Sequence, residues 1–238
     1  MNNSEVILNN EDVVKMLDSL LREPAPFWNE FYTDREKKIP FFLNLPDENL
    51  VNYFEKGLLK PGKVLELGSG PGRNALYLAR QGCEVDAVDL SQEAIQWGKE
   101  RALENKLNVH FINNDIFNME VKEGSYDLVY DSGCFHHIAP HRRMSYIDLL
   151  HKAIKPNGFF SLICFVAGGR LGGSEISDWE VYRLRSLNGG LGYTEERLKT
   201  IFKDFQLVEM RKMEVLDEES SLFGYPDLWT VLFKKVSL

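Results

Sequence analysis

The run Val64-Leu65-Glu66-Leu67-Gly68-Ser69-Gly70-Pro71-Gly72 constrains this chain more than any other feature. A short apolar strand enters a turn with glycine at every second position, and a helical pattern follows through Arg80. Glycines placed this way let the backbone turn sharply and approach a ligand where a Cβ would clash. The pattern is G-x-G-x-G, with Arg73 standing where a dinucleotide fingerprint would carry its third glycine. That departure disfavours a nicotinamide cofactor.

The same alternation continues downstream. Val85–Asp89 reads as a second strand, with Ser91 as N-cap of the next helix. Val109–Asn113, Tyr126–Asp131 and Phe159–Phe165 complete five strands at βα spacing, for which a parallel, doubly wound sheet is the natural solution. Thr194 caps a helix through Phe202. Leu207–Leu216 and Leu228–Val236 then follow with no helix between them, so an antiparallel hairpin is expected. The fold class is therefore α/β: a Rossmann-like, seven-stranded, mostly parallel sheet ending in a hairpin.

Residues 1–60 read as a helical cover and 61–238 as the ligand-binding domain. Asn10 is placed to cap a helix carrying Val13, Val14, Leu17, Leu20 and Leu21 on one face, and Pro24 and Pro26 stop it. An aromatic stretch from Phe27 to Tyr32 and then Phe41-Phe42 follow, and Pro46-Asp47-Glu48 opens another helix. Glycine clusters at 168–173 and 189–192 bracket Trp179, Tyr182, Arg183 and Arg185, which suits a lid-like insertion over about 166–193. An ordinary surface insertion fits the same composition.

Two acidic positions sharpen the glycine turn. Asp89 ends the second strand about 20 residues past the first glycine, where a carboxylate can accept both ribose hydroxyls. Asn114-Asp115 ends the third, beside the expected place of an adenine. With these residues and the final hairpin, the chain resembles the class I S-adenosylmethionine-dependent methyltransferases. Within that superfamily it looks closest to small-molecule enzymes of the thiopurine and tellurite-resistance type. The resemblance implies S-adenosylmethionine as cofactor, with Glu66, Gly68, Ser69 and Gly70 flanking its methionine part and Arg73 pairing with its carboxylate. It further implies Asp89 on the ribose, Asn114 and Asp115 at the adenine edge, and Leu90 and Ile116 against the adenine ring. Glu66 has a second reading as an acceptor for backbone N–H groups of the turn.

The fourth strand carries Asp131-Ser132-Gly133-Cys134-Phe135-His136-His137 at its carboxyl end, where ligands of open α/β sheets sit. Asp131 is expected to face the cofactor. His136 or His137 could accept a proton from the methyl acceptor, since imidazole titrates near neutrality. Each could equally cap or pack against the next helix. Cys134, His136, His137 and His141 do not have zinc-site spacing, and no metal is expected.

Charge narrows the partners. The formal net charge is −8 with no long basic block, which argues against nucleic acid, and the resemblance implies a small-molecule methyl acceptor through S, N or O. No run approaches a membrane span, Met1–Glu5 lacks the order of a secretory leader, and three scattered cysteines suit a reducing cytoplasm. A homodimer stays open as an assembly. So do two other classes: a cofactor-binding regulator without turnover, and a nicotinamide-dependent oxidoreductase.

Overall fold

A computed structural model of the protein describes residues 6–217 and 219–236; Met1–Glu5, read above for a leader, lie outside them. The strands are β1 (Lys63–Leu67), β2 (Glu84–Asp89), β3 (His110–Asn113), β4 (Tyr126–Ser132), β5 (Ile154–Phe165), β6 (Phe205–Lys212) and β7 (Leu228–Lys235). They form a seven-stranded sheet in the order β3-β2-β1-β4-β5-β7-β6. The first five are mutually parallel, and β7 runs antiparallel to both β5 and β6. The strand order reverses between β1 and β4, which opens a crevice at the carboxyl ends of these strands.

Both faces of the sheet are covered, so the central strands are apolar almost throughout. On one face Leu65, Val129, Phe160 and Phe233 pack with residues of α6 (Arg143–Ala153) and α8 (Glu195–Ile201). On the other, Val64, Ala87 and Tyr130 pack with α3 (Glu48–Glu55), α4 (Arg73–Arg80) and α5 (Gln92–Glu104). Leu50 and Tyr53 of α3 are fully buried in this second layer, so α3 shares the core of the sheet. Burying one such side chain is worth about 1.5–3 kcal/mol.

The helical starts differ in detail from the expectation. α1 (Asn10–Ser19) is capped by Asn9 and not Asn10, because the Asn9 side chain accepts from the Asp12 N–H and the Asp12 side chain reciprocates. Pro24 opens α2 (Pro24–Thr33), so the aromatic stretch is helical. The segment expected as a lid is tied at both ends: Val166 bridges Tyr193 and Ser174 bridges Leu191. Its helix α7 (Asp178–Leu184) starts with a Ser177–Glu180 capping box and buries Val181. Among the described residues, no helix is long and apolar enough to cross a membrane.

Candidate active site

At the crevice lies a cavity of about 940 Å³. Its floor comes from the loops after β1 to β4, among them Gly68, Asp89, Leu90, Asp115, Ile116 and Cys134. Gly68 and Gly70 both have positive φ, 63° and 52°. A Cβ on Gly68 would sit 2.6 Å from the Cβ of Cys134, and one on Gly70 would sit 2.9 Å from the Tyr32 hydroxyl. Conformation and space therefore both demand glycine here. The Asp89 carboxylate organises the turn, accepting the N–H of Gly70 and that of Ser91 at 2.8 Å each. Burial raises its pKa to about 6, and those two N–H groups oppose the rise.

Asp115 accepts the Phe117 N–H through Oδ1 at 2.9 Å, and its other oxygen has no hydrogen-bond partner among the described residues. Ile116 is buried beside it. Asn114 does not line the cavity: its N–H goes to the Asp89 carbonyl, and its side-chain oxygen takes the Asp115 N–H. Ser69 and Gly70 lie behind the floor, as does Glu66. The Glu66 Oε2 is buried without a partner among the described residues, and burial drives its pKa to about 8.

Arg73 reaches the cavity, but its charge is already answered. It forms an ion pair with Asp47 at 2.7 Å, and donates to the Leu45 carbonyl and the Ser132 hydroxyl at 2.9 Å each. Asp47 is fully buried, taking hydrogen bonds from Asn74 at 2.8 Å and Tyr130 at 2.7 Å. Along the chain Asp47 is visible only as an acid at the start of α3, not as this buried hub. Its signal was the acidic residue at a helix start, which looks the same whether exposed or buried.

Asp131 departs from its expected place. It is fully buried and does not line the cavity. One oxygen accepts the N–H groups of Cys134 and Phe135 at 2.8 and 3.3 Å, and the other accepts the Tyr146 hydroxyl at 2.6 Å. Asp131 therefore shapes the loop after β4, with both oxygens taken within the protein. Burial lifts its pKa to about 7.

The two histidines separate clearly. His136 stacks on Phe165 with ring centroids 3.6 Å apart, and its Nδ1 accepts the Phe165 N–H at 3.3 Å. Burial pushes its pKa well down, so it stays neutral. The His137 ring lies edge-on to Trp28 at 4.8 Å, and its nitrogens have no hydrogen-bond partner among the described residues. Burial, then the nearby charge of Arg22, lowers its pKa to about 4. His137 lines the cavity and is neutral at neutral pH.

The cover comes from the N-terminal helices. α1 buries none of its own residues, yet Lys15, Asp18 and Ser19 line the cavity. Asp18 fastens it: His141 Nε2 lies 2.8 Å away and Arg142 donates twice to the carboxylate. Trp28, Phe31 and Tyr32 of α2 line the cavity, and Phe41 from the following turn joins them. The 166–193 segment contributes Leu171 and Leu187, whereas Trp179 is 77% exposed and Tyr182 instead hydrogen-bonds His141.

Residues 64–158 match the family described as "Methyltransferase domain". An uncharacterised methyltransferase of Synechocystis is 33% identical over 123 residues, 51% of this chain and 53% of that protein. A 2-heptyl-1-hydroxyquinolin-4(1H)-one methyltransferase of Mycobacteroides abscessus is 29% identical over 65% of this chain and 66% of its own. The chain spans between 52% and 59% of the length of four curated relatives that it matches. Among solved structures, the Burkholderia thailandensis 1,6-didemethyltoxoflavin-N1-methyltransferase, with S-adenosylhomocysteine bound, superposes with a TM-score of 0.62. It is 20% identical, covering 98% of this chain and 92% of that one, a likeness of fold. The strand order and the glycine turn agree with that match: residues 64–158 are similar to the methyltransferase-domain family, on a fold shared with solved methyltransferases.

Proposed function

We propose that this chain transfers a methyl group from S-adenosylmethionine to a small-molecule acceptor. The observation that carries the reading is one cavity with Gly68, Asp89 and Asp115 on one wall and aromatic side chains on the other. Its volume, about 940 Å³, lies near the top of the range of about 300–1,000 Å³ usual for a single ligand, leaving room for cofactor and acceptor together.

The donor set fits the cofactor. Gly68 and Gly70 make a cradle that a Cβ would fill. Asp89 is a carboxylate ready to accept ribose hydroxyls, and the unpartnered oxygen of Asp115 is an acceptor for an adenine amino group. Leu90 and Ile116 supply apolar contact, and the unpartnered Glu66 Oε2 behind the turn is an acceptor for an amino group. Arg73, already paired with Asp47, acts mainly as a post that holds the segment before α3 against the turn.

When bound, the cofactor supplies an electrophilic methyl on sulfonium, whose carbon–sulfur bond breaks as an acceptor lone pair bonds to the methyl carbon. The chain's own work is to hold the acceptor in line, exclude water and take up a proton if the acceptor carries one. His137 is the group placed to take that proton, since its ring faces the cavity neutral and unbonded. His136 positions the Phe165 ring and the backbone behind it.

Calorimetric titration with S-adenosylmethionine and S-adenosylhomocysteine, with NAD as control, tests the reading. Micromolar binding of the sulfur ligands and none of NAD is expected. Binding of NAD alone would overturn it.

A further inference from the structure

The acceptor half of the cavity carries a chemical signature of its own. Five rings that line it form an unbroken run: Phe41, Phe31, Trp28, His137 and Phe165. Successive centroids lie 6.1, 5.2, 4.8 and 6.0 Å apart. All five are only half-buried, although they sit within one cavity. Rings left partly bare inside a cavity form a surface for another flat, apolar body, since aromatic pairs prefer offset or edge contact at about 4.5–7 Å.

The charges nearby sharpen this. Arg22 stands close enough to His137 to depress its basicity, whereas Arg73 is paired with Asp47. The carboxylates that line the cavity sit elsewhere: Asp89 and Asp115 on the floor after β2 and β3, and Asp18 held by His141 and Arg142. Glu23, the remaining one, opens α2 and is exposed. The charge of Arg22 beside His137 disfavours an ammonium at that ring and favours an acceptor that becomes anionic as it loses a proton.

We infer that the acceptor is a flat, uncharged aromatic or heteroaromatic molecule bearing an ionisable O–H, N–H or S–H, held against the Trp28–His137–Phe165 run. This rests on the methyltransferase reading above. In the reaction the acceptor heteroatom's lone pair forms the new bond to the methyl carbon, the carbon–sulfur pair returns to sulfur, and the acceptor proton goes to the free nitrogen of His137. Aliphatic amines and amino acids offer these rings no flat face and are expected to be poor acceptors.

The test saturates the protein with S-adenosylhomocysteine and titrates 2-naphthol, 4-quinolinol and 2-naphthalenethiol, with ethanolamine and glycine as contrasts. Binding of at least one bicyclic aromatic, and of neither contrast, is expected. Trp28→Leu should weaken that binding by about tenfold, the worth of one good ring contact. The same variant must still bind S-adenosylhomocysteine, which shows that it folds. Binding of ethanolamine or glycine in preference, or of no aromatic while S-adenosylhomocysteine binds, would overturn the inference. So would a Trp28→Leu variant that binds the aromatic unchanged. Failure of S-adenosylhomocysteine itself to bind would strike the cofactor reading instead, and is read from the first titration alone.

Discussion

The Asp89 carboxylate accepts the backbone N–H of Gly70 at 2.8 Å, so the acid at the end of β2 and the glycine turn after β1 form one rigid unit. Removing that carboxylate should both loosen the turn and delete the ribose acceptor. Asp89→Ala is expected to weaken S-adenosylhomocysteine binding about 100-fold, the scale of one lost charge-assisted hydrogen-bond site. Calorimetry checks it, and unchanged affinity would remove Asp89 from the cofactor site.

Proton linkage gives the ligand-free protein an unusual pH profile. Glu66 and Asp131 have folded pKa values raised to about 8 and about 7, so their contribution is full below their ordinary values and is lost as pH rises through the raised ones. His136 and His137 are depressed below 6.5, so theirs is lost as pH falls from there. Thermal stability should fall as pH rises from about 6.5 to about 8, by up to about 1.4 kcal/mol per pH unit for each carboxyl still protonated in the folded protein, and level off above. Glu66→Gln should flatten the alkaline limb in a thermal scan; an unaltered slope would show that Glu66 does not ionise there.

The histidines should differ as their contacts do. His137→Asn is expected to cut turnover by about 100-fold or more for an acceptor that must lose a proton, with cofactor affinity kept. Its effect should shrink for an acceptor that is already ionised. His136→Asn should chiefly lower the melting temperature, since it loses the stack on Phe165 and the Phe165 N–H acceptor. Equal turnover loss in both, for both acceptors, would argue against a proton-accepting role for His137.

Asp47 is the buried answer to Arg73. Replacing it by Ala leaves a guanidinium unpaired in the interior, which should cost about 3–5 kcal/mol in denaturant unfolding. The double variant Asp47→Ala with Arg73→Met should recover part of that loss. If Asp47→Ala alone were neutral, the pair would be solvated and Arg73 free for ligand.

Asp18 is the fastening of α1. Asp18→Asn removes the charge that His141 and Arg142 share, and α1 buries nothing else of its own. Hydrogen exchange across residues 10–19 should accelerate, while the sheet remains protected. Unchanged protection would mean that the contact is decorative.

Much of this was legible along the chain. The strand–glycine–helix run, Asp89 at its fixed distance and the closing hairpin are local patterns, because backbone turns and strand periods are written within a few residues. These determined the sheet, its strand content and the floor of the cavity. What the sequence could not show is how distant side chains use each other. Asp131 ends a strand just as Asp89 does, yet Tyr146 and two N–H groups consume it, whereas Asp89 stays at the cavity wall. Arg73 became a post because Asp47 folds against it, and α1 became a cover because Asp18 meets His141 and Arg142 more than 100 residues on. Ion pairs and ring contacts of this kind leave no periodic trace, since they depend on where packing sets two remote segments. Only the tertiary structure decided which of the acids, histidines and aromatics face the cavity.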